Sequence, residues 1–276
     1  MSSGRLGVLG IGVIGASIAL RARSCGMHVT AADVDSAALA FARDHGIIDD
    51  VATDVPALAG ACDVLVLATP VDAALTALRE LPARRDGEPW PRLLMDIASV
   101  KVPFAALRIE RYVPTHPFAG SEQTGPAAAR GDLFEGRAWA YVPTEPQSDS
   151  QAAAFIEQMG ATPVPIEAEA HDDIAAWASH LPQLVSVALG AVVAERVGNE
   201  AFRTLAGPGL RSMVRLAASS ESMWAPIVSA NAARVGPAVR KVADTLNDMA
   251  DALDRGDVPS VMAYFAEARP TSQTLL

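Results

Sequence analysis

An apolar segment at residues 5–9 runs directly into three glycines with the spacing G-x-G-x-x-G. At such a turn Gly10 permits a tight change of direction, Gly12 lets the backbone approach a pyrophosphate, and Gly15 allows a helix to pack closely on the strand. A helical pattern follows at once, and Gly26 can end that helix. Strand, glycine turn and helix in this order predict the first unit of a parallel α/β sheet. A glycine turn that binds no ligand is the structural alternative.

Short β-branched segments alternate with alanine-rich helical segments throughout the first half of the chain. Two of them, within residues 62–70 and 92–99, are continuous apolar runs of strand length, which is typical of strands buried on both faces of a parallel sheet. The alternation predicts an α/β fold with a Rossmann-type, doubly wound sheet that has helices on both faces. The other strand candidates are MHVTAADV, RYVPTHP, RAWAYVP and ATPVPIEA, and VPTEPQSDSQ is expected to be a surface loop.

The pattern changes near residue 170, after which nearly every segment has helical periodicity. Residues 229–257 are expected to form one long amphipathic helix with a kink near Gly236–Pro237. A change from alternating elements to helices alone usually marks a domain boundary. We therefore predict a dinucleotide-binding Rossmann domain at residues 1–170 and an all-helical C-terminal domain at residues 171–276.

The composition argues against several classes of partner. The net charge is −10 over 276 residues, which disfavours nucleic acid as a partner and provides no basic patch for a membrane surface. No apolar run is expected to approach the length of a membrane span, and the N-terminal residues leave no room for a signal peptide. Cys25 and Cys62 are isolated, lack metal-ligand spacing and are expected to be reduced thiols in the core. These observations predict a soluble cytoplasmic protein without a metal site.

The end of the second predicted strand carries Asp33, whose carboxylate can accept hydrogen bonds from the ribose hydroxyls of a bound dinucleotide. A carboxylate repels a 2′-phosphate, and residues 33–42 contain no Arg or Lys to offset it, so the sequence favours NAD over NADP. The N-terminus of the first helix offers unpaired N–H groups to the phosphates. Further candidates for cofactor binding are Val13, Ile14, Thr69 and Pro70.

Two residues with reactive side chains follow neighbouring strands of the predicted sheet. His116 precedes Pro117, which disfavours the α region for His116 and so places it in extended or turn backbone. Ser99 follows the apolar strand candidate that begins at residue 92. Because the carboxyl ends of successive strands converge on one crevice, both are expected to lie near a bound nicotinamide. The structural alternatives are a turn histidine without a chemical role and a serine that caps the next helix.

The order of five motifs along the chain resembles that of the prephenate and arogenate dehydrogenases, the cyclohexadienyl dehydrogenases of tyrosine biosynthesis. The motifs are G-x-G-x-x-G, DIASVK, THPFAGSE, HDDIAAWASHLP and AGPGLRSMVRLAASSESMW. The resemblance covers nearly the whole chain. It implies a Rossmann domain followed by a helical domain that binds substrate and forms a homodimer. It also implies NAD-dependent oxidative decarboxylation of a cyclohexadienyl carboxylate to an aromatic product.

Individual residues acquire roles from the same resemblance. By position, His116 matches the catalytic histidine, Ser99 the serine beside it, and Arg215 the arginine that binds the ring carboxylate. These roles suit the chemistry, because a neutral imidazole can accept the substrate's hydroxyl proton as hydride leaves for NAD+. A guanidinium holds a carboxylate with a planar fork that lysine cannot copy. Arg211, one helical turn earlier, is either a second anion contact or a structural ion-pair partner.

The Ser-His-Leu-Pro motif at residues 179–182 is followed by one departure from the family. Many members continue this motif with a second histidine, whereas this chain has Gln183. A glutamine amide can donate and accept hydrogen bonds, so the substrate is left open among prephenate, arogenate and an amino-substituted analogue. Ser179 is a candidate substrate contact, His180 is expected to be structural, and His171 is expected to be an interdomain contact or a cap.

Two other functions remain as alternatives. A 3-hydroxyacid dehydrogenase or imine reductase has the same two-domain layout. The sequence pattern of those enzymes includes a catalytic lysine on the first helix of the C-terminal region. Residues 171–190 contain no lysine. A non-catalytic nucleotide-binding protein is disfavoured because Ser99, His116 and Arg215 are all present. The sequence therefore favours an NAD-dependent dehydrogenase of the cyclohexadienyl type.

Overall fold

The computed structural model describes residues 4–81, 90–120 and 123–275, and the first part of the chain forms one eight-stranded sheet. Its strand order is β3-β2-β1-β4-β5-β6-β7-β8, and neighbouring strands are parallel except for the antiparallel pair β6–β7. The first six strands have the Rossmann order, as predicted. The strands β1 to β8 span Arg5–Leu9, His28–Ala32, Asp50–Val51, Val64–Leu67, Leu93–Asp96, Tyr112–Pro117, Ala138–Tyr141 and Thr162–Pro165.

Helices cover both faces of this sheet and form the rest of the chain. The helices α1 to α6 accompany the sheet and span Val13–Ser24, Ser36–Asp44, Val55–Ala61, Val71–Glu80, Val102–Ala105 and Pro146–Gln158. The helices α7 to α13 follow the last strand and span Ala168–Ala175, Leu181–Val193, Glu200–Leu205, Pro208–Val214, Glu221–Ala230, Ala232–Asp254 and Val258–Leu275. Within the described residues after β8 every regular element is a helix, which agrees with the predicted α/β fold and all-helical C-terminal region.

Alternation within the central strands explains why the sheet is buried on both sides. Val66 of β4 packs in a cluster with α1 and α6, whereas Leu65 and Leu67 of the same strand pack in a second cluster with α3 and α4. Successive side chains of a strand point to opposite faces, so a continuous apolar run supplies both clusters. The second cluster also contains Ile227 of α11, and Trp224 packs against it. The helical region is therefore docked on the α4 side of the sheet.

Two local expectations were wrong, and one strand was not predicted. Cys25, expected to be a core thiol, is exposed, whereas Cys62 is buried. The segment VPTEPQSDSQ is not simply a surface loop, because α6 begins within it at Pro146, and proline at the first helical position has the backbone angle that a helix start requires. A two-residue strand, β3, extends the sheet beyond β2 and has no pattern of its own.

The expected long helix is present as α12, which continues through Pro237 and ends at Asp254. It begins three residues later than predicted, after Asn231, which leaves helical geometry and whose buried side chain is held by hydrogen bonds.

The expectation that no apolar run approaches a membrane span also needs correction. The continuous helical run Ala168–Arg196 has 29 residues and, by length and composition alone, is apolar enough to cross a membrane. Only 22% of its most apolar stretch is buried. Helix α8 within this run packs against α10 and α12 on one side and exposes Val187 and Val192 on the other. Part of this apolar run is therefore exposed in the described structure.

Candidate active site

The three glycines of the first βα turn each meet a different geometric demand. Gly10 has φ of +95°, and a Cβ there would lie 2.6 Å from the carbonyl oxygen of Ala68. A Cβ at Gly15 would lie 2.0 Å from the carbonyl oxygen of Gly10, so helix and turn touch through backbone. At Gly12, by contrast, a Cβ would meet nothing within 4 Å. The turn is thus tightly packed at Gly10 and Gly15 and open at Gly12, just before helix α1 begins at Val13.

Asp33 lies beside this open turn. Its carboxylate accepts hydrogen bonds from the backbone N–H of Ile11, at 2.6 Å, and of Asp35, at 2.8 Å. Thr69, after β4, has a buried hydroxyl without a hydrogen-bond partner among the described residues, and Pro70 is the N-cap residue of α4. An open backbone turn at a helix N-terminus, a fixed carboxylate and a hydroxyl able to bond suit a dinucleotide. The predicted cofactor residues around this turn therefore fit the group.

His116 lies at the carboxyl end of β6, as predicted. Its Nδ1 is 2.9 Å from Nε2 of His171, and its ring lies 4.6 Å from that of Phe118, centroid to centroid. The residue keeps partial contact with solvent, but protein atoms surround most of the imidazole. Burial lowers the pKa of His116 well below its ordinary value of 6.5, and nearby His171, Lys101 and His180 lower it further. His116 is therefore a neutral imidazole near pH 7.

His171 connects His116 to a buried carboxylate. Its Nδ1 is 2.8 Å from Oδ1 of Asp172, and both residues are fully buried. The same carboxylate accepts the backbone N–H groups of Lys101, at 2.6 Å, and Val102, at 3.0 Å. Helix α7 is thereby tied both to the loop after β5 and to the end of β6. His171 makes the interdomain contact that was expected of it.

Ser99 lies half-buried in the loop between β5 and α5. The alternative that it caps the next helix is wrong, because Lys101 occupies the N-cap position of α5 and Asp172 binds the first N–H groups. Ser99 is thus left on a loop at the same edge of the sheet as His116. Ser121 and Glu122, which end the THPFAGSE motif, lie outside the described residues.

A buried ion pair supports this edge of the sheet and was not predicted. Lys101 is fully buried, and its ammonium contacts Oδ1 of Asp96 and donates to the carbonyl oxygen of Thr115 at 2.6 Å. The hydroxyl of Tyr112 donates to the other oxygen of Asp96 at 2.5 Å. These bonds connect the end of β5, next to Ser99, with the end of β6. An acid at the end of an apolar strand, five residues before a lysine, was the available signal.

Arg215 begins the 3-10 turn Arg215–Ala218 that follows α10, and it is exposed. Helix α8 holds this turn with two side chains. The amide nitrogen of Gln183 donates to the carbonyl oxygen of Leu216 at 2.7 Å, and the hydroxyl of Ser186 accepts the N–H of Ala217 at 3.1 Å. Gln183 therefore supports the turn that carries Arg215, a role that sequence reasoning did not provide for it.

The remaining candidates on the helical side have distinct surroundings. Arg211 is exposed, and its Nε donates to the carbonyl oxygen of Ala206 at 3.1 Å. Ser179 is half-buried in a π-helical turn, Ala176–His180, a widened geometry that is frequent at functional sites. His180 is buried and lies 3.2 Å from the side-chain nitrogen of Asn231, and burial lowers its pKa to about 4. These contacts agree with a structural role for His180.

Residues 16–164 match the nucleotide-binding domain of prephenate dehydrogenase, and residues 167–267 match its dimerization domain. The chain belongs to the prephenate dehydrogenase family. The match confirms the predicted resemblance, and with it the predicted enzyme class, an NAD-dependent dehydrogenase with a Rossmann-type fold.

Members of this family from several organisms are similar to the chain over most of its length. The probable prephenate dehydrogenase NovF of Streptomyces niveus is 29% identical over 255 residues, which cover 89% of this chain and 68% of that protein. The cyclohexadienyl dehydrogenase of Zymomonas mobilis is 26% identical over 280 residues, covering 96% and 93%. The crystal structure of Aquifex aeolicus prephenate dehydrogenase with hydroxyphenyl propionate and NAD+ has a TM-score of 0.88 at 23% identity, covering 100% and 99%. This last likeness confirms the fold.

Proposed function

We propose that this protein is a cytoplasmic enzyme that uses NAD+ to oxidise and decarboxylate a cyclohexadienyl carboxylate. The observation that carries the proposal is the neutral His116 at the carboxyl end of β6. The strands β1, β4, β5 and β6 are mutually parallel, so the glycine turn, Thr69, Ser99 and His116 follow their strands at one edge of the sheet. Ligands of doubly wound sheets bind at this edge.

Each of these side chains has a separate role in the proposed reaction. NAD+ held by the glycine turn and Asp33 would supply the acceptor for the hydride on the ring carbon that carries the hydroxyl. His116 takes the hydroxyl proton on Nε2, because its Nδ1 is engaged with His171. Ser99 orients that hydroxyl or the nicotinamide carboxamide, and Arg215 binds the carboxylate across the ring. Loss of CO2 leaves the electrons of the broken bond in the ring, which becomes aromatic.

Gln183 narrows the substrate class. Its amide nitrogen donates one hydrogen to the carbonyl oxygen of Leu216, which leaves a second N–H and the oxygen Oε1 for other contacts. The oxygen can accept from a substrate side chain that donates, such as the amino group of arogenate. The neutral amide adds no positive charge for the keto-acid side chain of prephenate or of 4-amino-4-deoxyprephenate. We therefore favour arogenate.

A substrate panel tests this function directly. Prephenate, arogenate and 4-amino-4-deoxyprephenate are supplied separately with NAD+ or NADP+, and reduced nicotinamide is followed by its absorbance. We expect the highest kcat/KM with arogenate because of Gln183, and with NAD+ because Asp33 repels a 2′-phosphate. Faster turnover of prephenate would contradict the role given to Gln183 but not the reaction. Failure of all three substrates with both cofactors would contradict the reaction itself.

We also propose that the helical region forms a homodimer. Large apolar side chains are exposed along helices α7 to α13, although monomeric proteins rarely expose extended apolar patches. They include Trp177, Val187, Val192, Leu205, Met213, Leu246, Leu253, Met262 and Phe265. A second copy of this chain would bury such a surface, and the matched family domain is a dimerization domain.

Sedimentation velocity tests the dimer. At micromolar concentration we expect the mass of two chains, because an apolar interface of ordinary size gives stable association. Leu246→Glu on the exposed face of α12 should shift the protein toward the monomer. Leu39→Ala, at a buried position of α2, should lower stability without changing the mass. A monomer at this concentration for the unmodified chain would contradict the proposal.

A further inference from the structure

A continuous chain of hydrogen bonds extends from the proposed base into the helical region. Nδ1 of His116 is 2.9 Å from Nε2 of His171, and Nδ1 of His171 is 2.8 Å from Oδ1 of Asp172. His171 and Asp172 are fully buried. The three side chains come from β6 and α7, and neither His171 nor Asp172 has a role in the chemistry described above. The protons along this chain can be assigned from its far end.

Asp172 is an acceptor only. Burial by itself raises the pKa of this carboxyl, but the hydrogen bonds from His171 and from the backbone N–H groups of Val102 and Lys101 outweigh it, and the net pKa is below the usual value. A carboxylate cannot donate, so Nδ1 of His171 carries a proton. In a neutral imidazole the other nitrogen is then an acceptor. Nε2 of His171 therefore accepts, and Nδ1 of His116 donates.

We propose that His171 and Asp172 are positioning residues that fix His116 as the Nδ1–H tautomer and so keep a lone pair on Nε2 for the substrate. The inference rests on the proposed role of His116 as the base. Free histidine favours the opposite tautomer, with the proton on Nε2, and that form cannot accept a proton from a hydroxyl at that atom. The pair thus determines which nitrogen is basic, in addition to where the ring lies.

The opposite arrangement of the protons is energetically unfavourable. If both nitrogens of His171 carried protons, Nε2 of His171 would donate to His116, and the proton of His116 would move to its Nε2. That state would add a second buried cation to a cluster where the Lys101 ammonium already acts on His116. Burying an additional charge is unfavourable, and the resulting His116 would be unable to act as a base at Nε2. The two arrangements place a proton on different atoms, which a measurement can distinguish.

Two substitutions at residue 171 separate polarity from packing. In His171→Gln the amide oxygen can accept from His116 while the NH2 group donates to Asp172, which preserves the donor–acceptor order. In His171→Phe a ring of similar shape fills the space without hydrogen bonds. We expect kcat of His171→Phe to fall by about tenfold to a hundredfold with little change in KM, a loss similar to that seen when a metal-ligating histidine loses its hydrogen-bond partner. His171→Gln should recover most of that loss. Substitution of Asp172 is less informative, because its carboxylate also binds the N–H groups of Lys101 and Val102.

Nitrogen-15 NMR of histidine-labelled protein at neutral pH provides the direct test. In the unmodified protein we expect a protonated Nδ1 and an unprotonated Nε2 for His116, assigned by the loss of its signals in His116→Asn. The same pattern should persist in His171→Gln and reverse in His171→Phe. His45→Gln is the matched control, because His45 is exposed and its Nδ1 bonds the carbonyl oxygen of Phe41 in the preceding helix.

The outcomes distinguish this inference from the proposed function. A protonated Nε2 on His116 in the unmodified protein, or equal kcat for the Gln and Phe variants, would overturn the positioning role. If His171→Phe does not fold, the spectra of the unmodified protein and of His171→Gln still decide. Normal turnover by His116→Asn would instead overturn the role of His116 as the base. An inactive His116→Asn together with an unimpaired His171→Phe would overturn the pair alone.

Discussion

His116→Asn is expected to lower kcat by about a hundredfold to ten-thousandfold, the usual loss when a general base is removed. Asparagine retains a similar size and some hydrogen bonding, but it cannot accept a proton near neutral pH. Binding of substrate should change much less, because Arg215, the proposed carboxylate contact, lies on a different element. Steady-state kinetics with the best substrate of the panel measures both parameters. His45→Asn, at an exposed site on α2, is the control for loss of a histidine.

The pH profile gives the same experiment a second readout. Burial lowers the pKa of His116, so the imidazole stays neutral and active at pH 6.5 and above and becomes protonated only at lower pH. The rate of the unmodified enzyme should therefore be level near neutral pH and fall only when the pH drops well below 6.5. That acid limb should disappear in His116→Asn. Near-normal turnover with an intact acid limb would mean that His116 is a turn residue without a chemical role.

The sheet could be predicted because its determinants are local. Three glycines in the first turn and continuous apolar runs of strand length are visible along the chain, and only a few folds satisfy both. The sequence pattern was less informative where the bounds of an element depend on residues that are distant in the sequence. The long helix α12 begins only after Asn231, whose side chain is hydrogen-bonded to Asp172 and His180, 59 and 51 residues away in the sequence. The periodicity of apolar residues gives no information about such contacts.

The candidate site was predicted in part for a related reason. Ser99 and His116 follow neighbouring strands, and the parallel sheet places the ends of such strands together. The network behind them was missed because it is assembled across domains: Asp172 of α7 binds the start of α5, and Lys101 joins Asp96 to the backbone of Thr115. A buried lysine is rare enough that composition alone favours an exposed one. Its pairing appears only when the two strand ends are placed side by side.

Arg215→Ala is expected to have the opposite kinetic signature to His116→Asn. Loss of a hydrogen-bonded charge partner costs about 1.5–3 kcal/mol, so KM should rise by roughly tenfold to a hundredfold while kcat falls less. The protein offers no general attraction for an anion in its place, because the net charge is −10. Arg215→Lys should recover affinity only partly, since an ammonium restores the charge without the planar fork.

Neighbouring arginines provide matched controls for this effect. Arg203→Ala removes an exposed guanidinium that donates to the carbonyl oxygen of Val197, so it should leave KM unchanged. Arg211→Ala separates the two roles left open for that residue: a lower melting temperature with normal KM indicates its bond to Ala206, and a raised KM indicates a second anion contact. An unchanged KM in Arg215→Ala would contradict carboxylate binding at this turn. The hydrogen bonds of Gln183 and Ser186 to the turn Arg215–Ala218 would then serve only the packing of the helical region. The substrate carboxylate would have to be bound by another cation.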